Sequence, residues 1–358
     1  MTSTQKIPVF DGHNDTVLRY DREDGYDFFK RNATGHIDLP RAKASSFAGG
    51  FFACFIPSPL PTGKMPRPKL SDFKQKDGSY LMPFPPEISQ EYGLNMAVTL
   101  MAHLFRMEKQ SNDDFEIVRT ADELEASIPK DNVTAIVHIE GAEPIDTQFY
   151  ALEVLYQAGL RSLGMVWSRP TAFGYGVPFA YPSTGDTGKG LTPAGFELVN
   201  ACNDLGIMLD LSHLNEKGFW DVAKTTSAPL VATHSNVYEL CKLSRNLTDK
   251  QFDAVKESNG VVGLNFGVSF IDATGPEAQD ATVADMVKHI TYMVERMGID
   301  HVALGSDFDG TGVSSEIKDV TGVDVLIEAL RDAGYDDDSL RKIAYQNWVR
   351  VLRDTWKD

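Results

Sequence analysis

The feature that most constrains the fold is a regular alternation of short apolar segments with longer segments of helical periodicity. The apolar segments are bounded by turn residues, as β-strands are, and in chain order they are "VFDGHND", "GGFFACFI", "TAIVHIEGA", "RSLGMVW", "GIMLDLSH", "PLVATHS", "GVVGLNFG" and "HVALGSDFDG". Strands that alternate with helices form an open parallel sheet or a barrel, and eight such units are the number in a (β/α)8 barrel. The Gly-x-Gly-x-x-Gly pattern of dinucleotide-binding open sheets does not follow the first strand. We therefore predict an α/β protein with a single (β/α)8 TIM barrel domain over residues 1–358.

The helical segments carry end signals that support this alternation. The segment "LTPAGFELVNACNDLG" has Thr192 at the cap position, Pro193 in the first turn and Gly206 just past the end. Glycines also end three other helical segments, at Gly159, Gly260 and Gly298. The chain closes on "DSLRKIAYQNWVRVLRDTW", whose pattern predicts an amphipathic helix.

One segment interrupts the alternation. Residues 57–89 are rich in proline and polar side chains, and they far exceed the two to six residues of a usual strand–helix connection. The segment follows the second strand and precedes the helical pattern "EYGLNMAVTLMAHLFRMEK". In a barrel this connection lies on the carboxyl face, where active sites are found. We therefore predict an insertion that forms a lid or wall of the site, with an inter-domain linker as the alternative.

Composition disfavours several classes of partner. The formal net charge is −17, and such a surface repels nucleic acid and anionic lipid. Cys54, Cys202 and Cys241 are widely spaced, which favours reduced thiols over a disulfide framework. Neither a secretory signal pattern nor a long apolar run is present. We expect a cytoplasmic protein with no nucleic acid or membrane partner, and the sequence leaves a homodimer open.

Chemically active side chains stand at the carboxyl ends of the predicted strands. In a barrel these ends converge on one face, where the catalytic residues of this architecture lie. The residues at these positions are His13, Asp15, Glu140, His213, His234 and Asp307. Three imidazoles and three carboxylates form a donor set for divalent metal ions. Each residue alone has a structural interpretation, but their recurrence at one topological position favours a metal site.

The remaining histidines are expected to be structural, with one exception. His138 lies on the same strand face as Glu140, which leaves a supporting role beside the site open. The others lie on helices or away from strand ends, at His36, His103, His289 and His301.

The stretch "SDFDGTG" raises two alternative interpretations. Asp307 to Thr311 match the Asp-x-Asp-Gly-Thr pattern of aspartate-nucleophile phosphatases, but only about 50 residues follow, too few for the rest of that fold. Lys318 occupies the twelfth position of a would-be calcium loop, where a bidentate glutamate is needed. The chain also lacks a Gly-x-Ser-x-Gly nucleophile motif. Metal-activated water is therefore the best candidate nucleophile.

Taken in order, these motifs resemble those of the membrane dipeptidase (renal dipeptidase) family, the M19-type metallopeptidases of the amidohydrolase superfamily. The matching stretches are "DGHND", "IEGAEPI", "GLTPAGFELV", "LGIMLDLSHL", "PLVATHSNV", "RNLTD" and "HVALGSDFDG", which cover nearly the whole chain. The resemblance implies a barrel of the metal-dependent hydrolase type. It also implies a binuclear-zinc dipeptidase, in which a metal-bridging hydroxide attacks dipeptides with a free C-terminal carboxylate.

The resemblance also implies roles for individual residues. Two divalent metal ions per chain, with zinc as the expected ion, would be held by His13, Asp15, Glu140, His213 and His234, with Glu140 bridging both. Asp307 resembles the general acid/base of the family. Arg245, in "SRNLTD", resembles the arginine that binds the terminal carboxylate of the substrate, and a guanidinium suits a carboxylate geometrically.

The sequence departs from the family at the end of the fourth strand. In "GMVWSRPTAFGYG", Trp167 occupies the position where many members have a substrate-contacting histidine. An indole can donate one N–H but cannot carry a proton as imidazole does. Either the Trp167 N–H replaces part of that interaction, or the substrate has changed. The alternatives to a dipeptidase are an amidohydrolase acting on a non-peptide amide and a metal-binding scaffold without catalysis.

Overall fold

Buried runs rich in β-branched and aromatic residues form the strands, and amphipathic segments form the helices between them. The computed structural model describes residues 6–59 and 70–357. The strands are β1 (Val9–Asn14), β2 (Phe47–Phe55), β3 (Tyr80–Leu81), β4 (Phe115–Ile117), β5 (Val133–Glu140), β6 (Leu160–Gly164), β7 (Ala180–Tyr181), β8 (Met208–Asp210), β9 (Val231–Ala232), β10 (Val261–Leu264) and β11 (Val302–Leu304). The helices are α1 (Arg19–Arg22), α2 (Leu39–Ala44), α3 (Gln90–Gln110), α4 (Ala121–Ser127), α5 (Tyr150–Gln157), α6 (Pro193–Leu205), α7 (Glu216–Thr225), α8 (Asp249–Glu257), α9 (Val268–Ile271), α10 (Val283–Met297), α11 (Val323–Asp332), α12 (Asp337–Arg341) and α13 (Asn347–Arg353).

Eight parallel strands form a nearly closed barrel, in the order β1-β2-β5-β6-β8-β9-β10-β11. These are the eight strands expected from the sequence, so the predicted barrel is confirmed. The first and last strands meet just beyond their carboxyl ends. There the backbone N–H of Asp15 donates to the carbonyl of Phe308 at 2.8 Å, and that of Asp307 donates to the carbonyl of His13 at 2.9 Å. Ring closure therefore brings the polar ends of β1 and β11 together.

An apolar layer fills the barrel beneath these polar ends. Trp348 of α13 is fully buried, lies 5.3 Å from the ring of Phe51, and donates its indole N–H to the carbonyl of Leu304 at 3.1 Å. Glycine at position 12 makes room for it, because a Cβ there would lie 2.5 Å from the Trp348 ring. Phe51 in turn contacts the imidazole of His138 at 6.4 Å. Closely packed, buried aromatic side chains thus lie directly beneath the polar site.

The helix ends follow the predicted signals at α6 but not everywhere. Thr192 accepts the N–H of Gly195 at 3.1 Å, and Gly206 ends the helix with a φ of 75°. Helix α8 stops at Glu257, three residues before the glycine that the sequence suggested. The predicted C-terminal helix forms as α12 and α13, joined by a π-helical turn at Lys342–Gln346. None of the described helices is both long and apolar enough to cross a membrane.

The proline-rich connection 57–89 joins β2 to α3, and its residues 60–69 lie outside the described part of the chain. Its strand β3 pairs antiparallel with β7, which belongs to the connection after β6. Lys74 forms an ion pair with Glu277, in the connection after β10, at 2.7 Å. The described part of the segment therefore contacts two other connections on the carboxyl face. Its role as a lid stays a prediction.

Candidate active site

The five predicted metal ligands converge at the carboxyl end of the barrel. His13 and Asp15 come from the end of β1, Glu140 ends β5, and His213 and His234 follow β8 and β9. All five side chains are buried. They originate from four strands that are far apart in sequence, and only the barrel brings them together. The structure therefore groups the predicted set, while the role of each residue as a ligand stays a prediction.

The carboxylate of Glu140 lies at the centre of this cluster. Its Oε1 is 3.1 Å from Nε2 of His213 and 3.6 Å from Nε2 of His234. Its Oε2 is 3.7 Å from Nε2 of His13. One oxygen of the Glu140 carboxylate thus faces His213 and His234, and the other faces His13. A carboxylate placed in this way can bridge two cations.

The cluster also contains buried polar atoms that the described protein leaves without a hydrogen bond. Both ring nitrogens of His13 and Oδ1 of Asp15 have no partner among the described residues. Buried polar atoms are nearly always paired in folded proteins. Candidate ligand atoms lie within 4.8 Å of one another in the groups His13–Glu140–His234 and His13–Asp15–Asp307. The donors are the nitrogen and oxygen atoms that divalent transition ions prefer, so these residues fit such ions.

Electrostatic interactions in the cluster are strong. Burial raises the pKa of Glu140 well above its usual range. The negative charges of Asp15 and Asp307 raise it further. Burial alone would lower the pKa of His13, but the carboxylates of Glu140 and Asp15 raise it to about 10. Burial lowers the pKa of His213 far below its usual range. Burial therefore disfavours the charged forms of Glu140 and His213, and bound cations would stabilise the carboxylate of Glu140.

Asp307 faces the same cluster from the end of β11. Its Oδ2 accepts a hydrogen bond from Nδ2 of Asn265 at 2.9 Å, and burial raises its pKa to about 6. Its φ is 59°, and that of His213 is 67°. Left-handed backbone at a non-glycine residue costs on the order of 1 kcal/mol or more, and such residues concentrate at functional sites.

Arg245 is a buried cation without a carboxylate partner. It is 4% exposed, and no carboxylate of the described residues lies within ion-pair distance, although the charges of Asp210, Asp307 and Glu140 act on it from farther away. Its Nη1 donates to Oγ of Ser235 at 2.7 Å and its Nη2 to the carbonyl of His234 at 2.9 Å. Burial lowers its pKa to about 10, so the guanidinium is charged at neutral pH. Since a guanidinium has five N–H donors, three stay available to a ligand.

Trp167 also lies at the site. Its ring centroid is 6.0 Å from that of His213, and the side chain is half-buried. The structure therefore places it where a substrate contact is geometrically feasible. Its predicted role in binding substrate stays a prediction.

A hydrogen-bonded chain that sequence reasoning missed orients His234. Thr233 Oγ1 donates to Oδ2 of Asp210 at 2.5 Å, and its oxygen lies 2.8 Å from Nδ1 of His234. Burial alone would raise the pKa of Asp210, but the interaction with His138 and the hydrogen bonds from Thr233 and Ser212 lower it below its usual range. This carboxylate therefore accepts hydrogen bonds as an anion. The single hydroxyl hydrogen of Thr233 is then used, and the hydroxyl oxygen must accept from Nδ1–H. This arrangement favours the His234 tautomer with an unprotonated Nε2, which lies 3.1 Å from Nε2 of His213 and 3.6 Å from Glu140.

Other supporting residues have partners as well. Oγ of Ser162 is 2.8 Å from Nδ1 of His138, which lies beside the site as its strand face suggested. Asp11 accepts hydrogen bonds from the backbone N–H and the hydroxyl of Ser306 at 2.6 and 2.8 Å. Asn265, which donates a hydrogen bond to Asp307, directly follows the seventh barrel strand, β10, in "GLNFG". Its position at a strand end was the signal that would have revealed it.

The histidines away from strand ends have structural partners. His289 Nδ1 accepts the N–H of Val237 at 3.2 Å, and its Nε2 is 3.0 Å from the carbonyl of Ile271. His36 Nδ1 accepts the N–H of Asp309 at 2.8 Å. His103 stacks on the ring of Tyr20 at 4.8 Å, and His301 Nδ1 is 2.9 Å from the carbonyl of Gly260.

Asp309, the second aspartate of the Asp-x-Asp pattern, is also engaged structurally. Its carboxylate accepts hydrogen bonds from the backbone N–H of His36 at 2.7 Å and from the hydroxyl of Thr16 at 2.8 Å. It therefore ties a loop to the barrel, as a turn residue would, and the phosphatase interpretation gains no support.

A TIM barrel with clustered histidine, aspartate and glutamate at its carboxyl face defines a metal-dependent hydrolase as the class of protein. The family model described as "Membrane dipeptidase (Peptidase family M19)" matches residues 3–357. The chain therefore belongs to the membrane dipeptidase family, whose members are metallopeptidases, and it is a hydrolase acting on peptide bonds.

Similar proteins agree with this assignment. The crystal structure of dipeptidase AC, a metallo peptidase of family M19, superposes with a TM-score of 0.91 and 45% identity, covering 98% of this chain and 99% of that one. A metallo peptidase from Rhodobacter sphaeroides, liganded with a phosphinate mimic of the dipeptide L-Ala-D-Ala, has a TM-score of 0.91 and 44% identity over 98% of this chain and 100% of that one. A Klebsiella pneumoniae protein encoded in the pqqA 5′ region is 48% identical over 64% of this chain and 84% of its own length.

The hydrogen-bonded chain to His234 generates a testable prediction. Replacing the hydroxyl by a methyl group in Thr233→Val leaves Nδ1 of His234 without its acceptor, so the required tautomer loses its support. We expect metal affinity to fall about 10- to 100-fold, as for other residues that orient metal-binding histidines. The measurement is a competition titration against a chromogenic chelator.

Thr134→Val is the matched control. Thr134 is a buried threonine of β5 whose hydroxyl has no hydrogen-bond partner among the described residues. The same isosteric change there should leave metal affinity unchanged. Equal metal affinity of the Thr233→Val variant and the wild type would contradict the role assigned to Thr233.

Proposed function

We propose that this metallopeptidase is a binuclear-zinc dipeptidase that hydrolyses dipeptides with a free C-terminal carboxylate. His13 and Asp15 would hold one ion, and His213 and His234 the other, with Glu140 shared between them. The facing oxygens of Glu140 and the unpaired ring nitrogens of His13 support this division. Two divalent cations in such a donor set supply a nucleophilic water at neutral pH and polarise the scissile carbonyl.

Asp307 is the proton carrier in this proposal. Asn265 holds its Oδ2 in place and leaves the carboxylate facing His13 and Asp15. A carboxylate fixed beside the reacting groups can take the proton released by the attacking water and deliver it to the leaving amine. Because the proposal uses Glu140 and Asp15 as metal ligands, it gives this task to Asp307.

Arg245 is the residue that most directly supports a substrate with a terminal carboxylate. A buried guanidinium is costly unless an anion compensates it, and the described residues provide no carboxylate within ion-pair distance. A substrate with a terminal carboxylate supplies that anion, in a geometry that the guanidinium fork matches. The dipeptide mimic bound by the related Rhodobacter sphaeroides peptidase supports the same substrate class.

Replacing Arg245 by methionine tests the carboxylate assignment. Arg245→Met removes two or more charge-assisted hydrogen bonds, so kcat/KM for Ala-Ala should fall about 100-fold. The amide Ala-Ala-NH2 has no terminal carboxylate, and the preference of the wild type for the free acid over this amide should disappear in the variant. Steady-state kinetics on both substrates measure the effect.

The control for this experiment is Arg353→Met. Arg353 pairs with Asp122 and Glu125 at the surface, away from the site. Its loss should leave kcat/KM unchanged for both Ala-Ala and Ala-Ala-NH2. A variant at position 245 that keeps the preference for the free acid would refute the carboxylate role.

Removing the proton carrier should affect turnover rather than binding. Asp307→Asn keeps the shape and the hydrogen bond to Asn265 but cannot accept a proton. We expect kcat to fall about 100- to 10,000-fold, with metal content and KM within a few-fold of the wild type. An Asp307→Asn enzyme with wild-type kcat and full metal content would rule out this assignment.

A further inference from the structure

Four aromatic side chains lie together beside His213, and the proposed chemistry uses none of them. Trp167 and Phe179 each place a ring centroid 6.0 Å from that of His213. Phe55 contacts Trp167 at 5.1 Å, and Phe270 stacks on Phe179 at 6.1 Å. We name Phe55, Trp167, Phe179 and Phe270 the aromatic wall.

The aromatic wall combines a buried base with accessible rings. Phe55 is 9% exposed, whereas Trp167, Phe179 and Phe270 are half-buried. Binding pockets for small molecules are mostly apolar and aromatic, with a few polar groups that fix orientation. Half-buried rings next to a buried polar cluster provide this kind of surface.

Among the residues that the structure describes, the cation that lies against the aromatic wall has an anionic partner. The charged group stacked against it is Arg169, whose Cζ lies 5.4 Å from the Trp167 ring. Arg169 is 1% exposed and ion-paired with Glu143 at 2.7 Å, so its charge is neutralised inside the protein. A charged substrate side chain on this surface would lose its hydration without gaining a partner. An apolar side chain would gain by leaving water.

The aromatic wall also adjoins Arg245. The backbone N–H of Ala180, the residue after Phe179, donates to Oγ of Ser244 at 2.9 Å, and the Ser244 N–H donates to the Ala180 carbonyl at 3.0 Å. Ser244 directly precedes Arg245. On its other side, Phe179 is held by the N–H of Met82, which donates to its carbonyl at 2.9 Å. The backbone that carries Phe179 is therefore hydrogen-bonded to the backbone that carries Arg245, and both residues lie next to the candidate site.

We propose that the aromatic wall is the pocket for one side chain of the dipeptide, and that the enzyme prefers dipeptides carrying an apolar, above all an aromatic, side chain. This inference rests on the proposed dipeptidase function and adds the class of substrate. Phe179 and Phe270 would be specificity-determining residues, because both line the accessible part of the aromatic wall.

Two dipeptide series test the proposal on the metal-loaded enzyme. The series X-Ala and Ala-X, with alanine, leucine, phenylalanine, aspartate or lysine as X, place the variable side chain at either residue. In one of the two series, kcat/KM for the dipeptide that contains phenylalanine should exceed kcat/KM for the dipeptides that contain aspartate or lysine by about 10-fold or more. The series in which the preference appears identifies the residue that meets the aromatic wall.

Variants connect the preference to the aromatic wall. Phe179→Ala should lower the ratio of kcat/KM for the phenylalanine substrate to that for Ala-Ala by about 10-fold. Phe196→Ala, the same change at a 37% exposed position of α6, should leave this ratio at the wild-type value. Phe179→Leu keeps an apolar group of similar size and is the second variant if Phe179→Ala does not fold, with a smaller drop in the ratio. Turnover of Ala-Ala by each variant shows that its site is assembled.

The outcomes separate the two proposals. A wild-type enzyme that hydrolyses no dipeptide overturns the proposed function and this inference with it. A wild-type enzyme that hydrolyses dipeptides without any side-chain preference overturns the inference alone. The inference alone is also overturned if the wild type shows the preference but Phe179→Ala and Phe179→Leu change kcat/KM for all dipeptides by the same factor.

Discussion

The backbone hydrogen bonds that join β1 to β11 support the rest of the structure. They run from the N–H of Asp15 to the carbonyl of Phe308 and from the N–H of Asp307 to the carbonyl of His13. Three of these four residues carry the side chains of the candidate site. Closing the barrel therefore brings Asp307 next to His13 and Asp15, and a displacement of either strand end would separate these side chains.

The barrel interior then determines the chemistry available at this closure. The buried rings of Trp348 and Phe51 lie beneath the cluster, so the charges above them are poorly screened by solvent. Glu140 lies in this environment among three imidazoles, and Arg245 lies nearby without a carboxylate partner among the described residues. In the proposed function, metal ions would compensate the carboxylate charge around Glu140, and a substrate carboxylate would compensate the charge of Arg245. This gives one electrostatic reason for the whole arrangement.

Strand order and strand-end residues were predictable because both follow from periodicity along the chain. His13, Glu140 and His234 could be grouped from the sequence, since a barrel brings all its strand ends to one face. The contact from Asp210 through Thr233 to His234 could not be predicted, because it depends on side-chain orientations across neighbouring strands. Two residues of the aromatic wall were missed for another reason: Phe179 and Phe270 lie outside the barrel strands, Phe179 in the connection after β6 and Phe270 in the short helix α9. The role of Arg245 came from the family resemblance alone, and its burial supplied the physical reason afterwards.

The most direct test of the two-metal site is anomalous diffraction from a crystal of the zinc-loaded protein, recorded at the zinc absorption edge. We predict two anomalous peaks per chain at the carboxyl end of the barrel. One should be contacted by His13 and Asp15, the other by His213 and His234, and both by Glu140. A single peak, or peaks that Glu140 does not join, would contradict the two-metal site on which the proposed function depends.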